Sequence, residues 1–284
     1  MSYQYFIAAD GARLAFCDSG QGIPVLALAG LTRDGRDFDY LLQQHPACRL
    51  IRLDSRGRGH SQWTGAETYT VAQEAKDALA LLDHLGLAKA AVLGTSRGGL
   101  IGMLLASFAH ERLLGLCLND VGPALERPGL QRILEHVGIP PSVDSLAGVA
   151  DLLPKRSPGF ANVSETRWEE EAVRRFSESP DGVGLTYDPD LRRSFETALS
   201  GPQSEAWPLF EACVGLPIVL IRGANSDVLS NTTAEKMCRL RPDMLFATVP
   251  DRGHPPFLDE PEALSVITAW FALMKSEAIS APSN

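Results

Sequence analysis

The 284 residues carry 26 Lys and Arg against 35 Asp and Glu, a formal charge of -9 at pH 7. With 45% hydrophobic and 21% charged residues the chain can bury a sizeable core, which excludes a disordered segment and a disulfide-stapled miniature domain. The acidic balance, with no basic run to grip a phosphate backbone, argues against a nucleic-acid partner.

Candidate strands begin with Tyr5 to Ala8 and Arg13 to Cys17, joined through Asp10-Gly11, a strong hairpin signal. Apolar runs follow at Pro24 to Leu28, Cys48 to Leu53, Ala90 to Leu93, Leu114 to Leu118, Pro217 to Ile221 and Met244 to Val249. Helical patterns at Arg36 to Gln44, Val71 to Leu85, Arg97 to His110, Thr232 to Leu240 and Pro261 to Met274 alternate with them. Such alternation predicts an α/β fold with a mostly parallel, doubly wound sheet that starts antiparallel. Between Pro123 and Gly215 the strand-like runs vanish and helical spacing takes over, as in Leu130, Ile133, Leu134 and Val137, and again in Trp168, Ala172, Val173 and Phe176. Residues 123–215 are therefore expected to be a helical lid inserted in a core made of 1–122 and 216–284, and Ser276 to Asn284 a frayed tail.

The five cysteines, Cys17, Cys48, Cys117, Cys213 and Cys238, are odd in number and contain no C-x-x-C pair, which suits a reducing compartment. Met1 to Tyr5 lacks the basic and apolar segments of a secretory signal, and no run approaches the ~20 apolar residues of a membrane helix. A cytoplasmic protein without a membrane partner is expected; the oligomeric state is not legible.

Gly94-Thr95-Ser96-Arg97-Gly98 joins a strand to a helix as G-x-S-x-G. A serine on so sharp a turn exposes its hydroxyl, and the two glycines remove side chains that would collide. Ser96 is the candidate nucleophile, against the plainer reading of a helix N-cap. A serine needs a base, and the base needs an acceptor to fix its tautomer. Of the six histidines, His45, His60, His84, His110 and His136 read as surface or packing residues. His254 lies in the loop between the last strand and last helix, at the sheet edge where ligands of α/β folds bind. Asp227, in the loop after Ile218 to Arg222, is the preferred acid; Asp120, after Leu118-Asn119, is its rival. No His, Asp or Cys cluster has metal-ligand spacing, so neither metal nor cofactor is expected.

The order Ser96, Asp227, His254 and the G-x-S-x-G turn resemble the α/β-hydrolase superfamily over nearly the whole chain outside the insertion. Asp54-Ser55-Arg56-Gly57-Arg58-Gly59-His60-Ser61 is similar to the family's structural D-x-R-G-x-G-x-S loop, and Leu26 to Arg33 to its oxyanion-loop segment. The resemblance implies an oxyanion hole formed by the backbone N–H groups of Leu31 and Arg97. Two departures stand out: Ala29 occupies the place before Gly30 where many members have histidine, and the residue after the nucleophile is the charged Arg97. Arg33, paired with Asp54 or Asp37, is the expected substitute for the missing histidine in orienting the loop. The Arg97 side chain reads more readily as a packed stem with its head on a carboxylate than as a substrate contact.

What the resemblance implies is a serine hydrolase that cleaves a small to medium, partly apolar ester, lactone or thioester through an acyl-enzyme. Trp168 and Tyr187 of the insertion are the candidate substrate contacts. Branches that use aspartate in place of Ser96, the dehalogenases and epoxide hydrolases, are disfavoured. The alternatives left open are a carbon–carbon hydrolase of ring-cleavage products and a non-catalytic ligand-binding protein of the same fold.

Overall fold

The computed structural model describes residues 2–44, 48–180, 182–201 and 205–280, with side chains of the last helix described to residue 275. The chain opens with β1 (Gln4–Ile7) and β2 (Arg13–Ser19), whose turn contains Gly11 at φ +86°. It continues through β3 (Ile23–Leu28), α1 (Asp39–Gln44), β4 (Cys48–Leu53), α2 (Val71–His84), β5 (Ala90–Thr95), α3 (Arg97–Phe108) and β6 (Leu113–Asn119). The segment between sheet strands then holds α4 (Arg127–Leu134), α5 (Leu146–Arg156), α6 (Glu165–Arg175), β7 (Phe176–Ser179), β8 (Gly182–Leu185), α7 (Leu191–Ser200) and α8 (Trp207–Glu211). The chain returns to the sheet with β9 (Ile218–Gly223), α9 (Asn231–Leu240), β10 (Leu245–Val249) and α10 (Pro261–Ser280).

Eight strands form one sheet in the order β1-β2-β4-β3-β5-β6-β9-β10. β2 is antiparallel to both its neighbours and every other pairing is parallel. Successive residues of a strand face opposite sides. Leu26 and Leu28 thus join the core under α2 and α3, while Val25 and Ala27 join the one under α1 and α10, centred on Trp270. Burial on both faces is why these strands read as continuous apolar runs rather than alternating ones. Register aligns Leu28 with Gly94, Thr95 with Asn119, Asn119 with Ile221 and Gly223 with Val249. The carboxyl ends of β3, β5, β6, β9 and β10 therefore open onto one edge, where the loops carrying Gly30, Ser96, Asp120, Asp227 and His254 emerge.

The eight expected strands are all present, with ends shifted by a residue or two. The helix expected from Arg36 begins as a 3-10 turn at Gly35–Phe38, because the Asp34 carboxylate accepts the Arg36 N–H and tightens the entry. α10 continues to Ser280, so residues 276–280, read as tail, are helical; 281–284 and His45 lie outside the described residues. The insertion is not wholly helical either, since β7 and β8 pair as an antiparallel hairpin with Gly182 at φ +108°. Phe176–Ser179 carries one apolar residue and Gly182–Leu185 two glycines, so neither strand has the alternation that marks a half-buried sheet. Within the insertion, Val149, Ala150 and Leu153 of α5 pack on Trp168 and Ala172 of α6. α6 is tied to the sheet side by Arg33–Glu171 (3.0 Å), Tyr40 Oη to Glu170 (2.8 Å) and Arg167–Asp259.

Candidate active site

β5 delivers Ser96 onto α3 with φ 51° and ψ -115°, a left-handed conformation that costs an L-residue on the order of 1–3 kcal/mol. A side-chain carbon at Gly98 would collide with the Leu28 carbonyl, so only glycine lets α3 approach β3 this closely. Ser96 occupies the N-cap position of α3, yet its hydroxyl makes no capping bond. Instead Ser96 Oγ lies 2.9 Å from His254 Nε2.

The other ring nitrogen of His254, Nδ1, is 2.8 Å from Asp120 Oδ2. A carboxylate offers no proton, so Nδ1–H donates to Asp120 and Nε2 is left to accept the Ser96 hydroxyl proton. Asp120 is fully buried, and its second oxygen accepts the Gly223 N–H at 2.9 Å while Ser226 Oγ donates to Oδ2 at 2.6 Å. Its backbone takes φ 55°, which turns the side chain across the end of β9 toward the histidine loop.

Asp120, rather than the expected Asp227, therefore orients the imidazole. The two acids emerge from adjacent strand ends, but Ser226, the residue before Asp227, fills the place beside Asp120. Asp227 points outward and forms a two-bond ion pair with Arg132 of α4, at 2.5 and 2.8 Å. Burial alone would raise its pKa, but the hydrogen bond and charge of Arg132, with His254 further off, hold the carboxyl below its ordinary range. Asn119 adds a contact that sequence reasoning missed: its side-chain amide donates to the Pro256 carbonyl at 3.1 Å, tying the end of β6 to the loop that bears His254.

The loop after β3 lies against the serine, for a side-chain carbon on Gly30 would stand 3.8 Å from Ser96 Cβ. Among the described residues no acceptor engages the N–H of Leu31 or of Arg97, the two expected oxyanion donors. Two arginines hold this loop. Arg33 donates through Nε to Asp37 at 2.8 Å and through a terminal nitrogen to Glu171 at 3.0 Å, so its partner is Asp37 and not Asp54. Asp54 accepts the N–H groups of Gly35 and His60, each at 2.9 Å, and serves the backbone. The second arginine is Arg58, fully buried, whose Nε donates to the Leu31 carbonyl at 2.7 Å and whose terminal nitrogen meets Glu74 at 2.8 Å. It supplies an anchor for the loop where Ala29 replaces the more usual histidine. The Arg97 guanidinium pairs with the same Glu74 and with the Tyr69 carbonyl, both at 2.8 Å, which matches the packed-stem reading.

Ser96 and His254 open into a cavity of about 230 Å³. Its walls are largely apolar, with Leu31, Ile133, Val149, Leu153, Phe160 and Phe257 among them, and α4, α5 and α6 of the insertion roof it. Tyr187, an expected contact, lines the cavity, with its hydroxyl accepting the Gly138 N–H at 3.1 Å. Trp168, the other, does not. It faces the interior of the insertion with Ala172, one helical turn on, and packs edge-on against Phe160 and Phe257. His136, read as a surface or packing histidine, instead forms part of the cavity wall. Among the described residues no three His, Cys, Asp or Glu side chains are grouped to hold a metal, and no helix is long and apolar enough to cross a membrane.

An alternating sheet of this order, bearing a serine at a strand-to-helix turn and a histidine in the last strand-to-helix loop, defines the α/β-hydrolase class. The chain belongs to the alpha/beta hydrolase family, whose model matches residues 25–265. It is 34% identical over 254 residues to the 3-hydroxybutyrate-oligomer hydrolase of Cupriavidus necator, spanning 85% of this chain and 86% of that protein. Among solved structures, an alpha/beta hydrolase from Novosphingobium aromaticivorans superposes with a TM-score of 0.89 at 35% identity, over 95% of this chain and 98% of that one. A thermophilic esterase from Thermogutta terrifontis shares the fold, with a TM-score of 0.75 at 23% identity over 96% and 99% of the two chains.

Proposed function

We propose that the protein hydrolyses a carboxylic ester of a small to medium, partly apolar substrate through an acyl-enzyme on Ser96. The observation that carries this reading is the unbroken hydrogen-bond chain from Asp120 through His254 to Ser96. His254 Nε2 takes the Ser96 proton as Oγ attacks the acyl carbon, and the buried Asp120 carboxylate stabilises the imidazolium that forms. The negative charge moves to the carbonyl oxygen, where the free N–H groups of Leu31 and Arg97 receive it; removing one such donor typically costs about 10²–10³ in rate. His254 then returns the proton to the leaving alcohol, and water repeats the sequence on the acyl-enzyme. Residues 123–215 act as the lid that roofs the cavity and sets acyl specificity.

The relative from Cupriavidus necator supports an ester substrate, since the units of a hydroxy-acid oligomer are joined by ester bonds. Lactones and thioesters follow the same chemistry. The test is hydrolysis of p-nitrophenyl esters of graded acyl length by wild type and Ser96→Ala, with folding checked by circular dichroism. Turnover by wild type and its loss by more than about 10³-fold in the variant are expected, the scale seen when a triad member is removed. Equal turnover by both proteins would sink the reading.

A further inference from the structure

Four arginines reach the cavity: Arg33, Arg132, Arg156 and Arg175. Three are matched by acids, Arg33 by Asp37 and Glu171, Arg132 by Asp227, and Arg175 by Glu171. Arg156, in the last turn of α5, has neither a carboxylate nor a hydrogen-bond partner among the described residues. The α5 carbonyls beside it would suit a cation, yet its guanidinium bonds to none of them.

A half-buried guanidinium that lines the cavity together with Leu152, Leu153 and Val149 is partly stripped of water, and its planar fork matches the two oxygens of a carboxylate. His136 shares the wall. Burial first, and then the charges of Arg156 and Arg132, lower its pKa against the opposing pull of Glu135, so its ring is neutral and offers an N–H rather than a competing charge. One cavity thus holds Ser96 and His254 on the sheet side and an unmatched cation with a neutral donor on the insertion side.

We infer that Arg156, with His136, forms a carboxylate subsite, and that the substrate is an ester bearing a free carboxylate on the same molecule, such as a half-ester of a diacid or an ester of a hydroxy acid. The inference rests on the ester-hydrolase reading and adds the charge of the substrate. One unpaired guanidinium calls for a single negative charge; a phosphate dianion would leave a charge uncompensated in an apolar wall.

Two measurements test it. In the first, kcat/KM is compared for mono-p-nitrophenyl glutarate and its neutral counterpart p-nitrophenyl valerate, using wild type, Arg156→Gln and Arg156→Lys. Wild type is expected to prefer the anionic ester, the ratio to fall at least tenfold in Arg156→Gln through KM more than kcat, and Arg156→Lys to recover part of it. A wild type without that preference, or a ratio unchanged by Arg156→Gln, would overturn the subsite. In the second, calorimetry follows monomethyl glutarate binding to Ser96→Ala and to Ser96→Ala/Arg156→Gln. At least tenfold weaker binding in the double variant is expected, and equal binding would overturn the proposal. If binding depends on Arg156 but neither ester is cleaved by wild type, the carboxylate subsite stands and the ester reading falls.

Discussion

Asp120 and Asp227 differ by what surrounds each carboxylate rather than by distance along the chain. Asp120 is sealed, and its oxygens are taken by Gly223 N–H, Ser226 Oγ–H and His254 Nδ1–H. Asp227 is about one-third exposed and already neutralised by Arg132. Asp120→Asn should keep the shape but present an amide that cannot accept from Nδ1–H while preserving the other bonds, inverting the tautomer His254 needs. A loss of about 10³–10⁴ in kcat is expected by the logic of triad acids, whereas Asp227→Asn should cost no more than about tenfold. Steady-state hydrolysis of a p-nitrophenyl ester by the two variants checks this, and a larger loss at Asp227 would reverse the assignment. That Ser96 and His254 come together was legible because glycine spacing and a strand-to-helix loop mark them locally. The acid was not, since both aspartates follow a strand end and the choice turned on a left-handed backbone at Asp120 and on the Ser226 hydroxyl. Arg132, the partner that removes Asp227 from contention, lies 95 positions away in sequence.

At the scale of elements, one buried acid joins three of them to the oxyanion loop. Glu74 of α2 meets Arg58 from the loop after β4 and Arg97 from the start of α3, and Arg58 in turn holds Leu31. Burial would raise the Glu74 carboxyl, but the two guanidiniums outweigh it and hold the group below its ordinary range. Removing one partner from such a buried ionic cluster is costly because the remaining charges stay desolvated. Glu74→Gln is therefore expected to lower unfolding free energy by about 3–5 kcal/mol in urea titrations. Arg97→Met should also destabilise the fold but cost kcat less than about tenfold, because the oxyanion donor at this position is the backbone N–H. If Arg97→Met instead abolishes turnover in folded protein, the side chain has a role in the chemistry. The strands and main helices were readable since both sheet faces are packed and the runs are apolar throughout. The hairpin β7–β8 was not, because its residues are half-buried or exposed with none in the core and carry no period. Trp168 misled for a related reason: a large aromatic on an amphipathic helix reads alike whether it faces a ligand or its own neighbours α5 and Phe257.

Across the whole molecule the acidic excess is not spread evenly, for some of it is buried where charge is costly. Asp54 is 1% exposed, has no guanidinium partner among the described residues, and sits near Asp34. Burial first, then repulsion from Asp34, push its carboxyl up to about 6, while the N–H groups of His60 and Gly35 pull the other way. In the unfolded chain the same group titrates near its ordinary value of about 3.9. Between those values the folded state holds a proton that the unfolded state has lost, so stability decreases as pH rises from about 4 to about 6. A displacement of about two units corresponds to on the order of 2–3 kcal/mol for this one group. Asp10, Glu74, Asp227 and Asp243 act oppositely, since their depressed values stabilise the fold above the ordinary carboxylate range and lose that effect as pH falls below it. The two sets place the stability maximum on the acid side of neutrality. Urea unfolding from pH 4.5 to 7.5 should show wild type losing stability across the lower part of that range, up to about pH 6, and levelling off above it. Asp54→Asn, which keeps one acceptor oxygen but cannot ionise, should be less stable at pH 5 and show a shallower decline toward pH 7.5. Parallel curves for the two proteins would mean that the Asp54 charge does not govern the slope, and that the buried carboxylate is better solvated by its two amide donors than its setting implies.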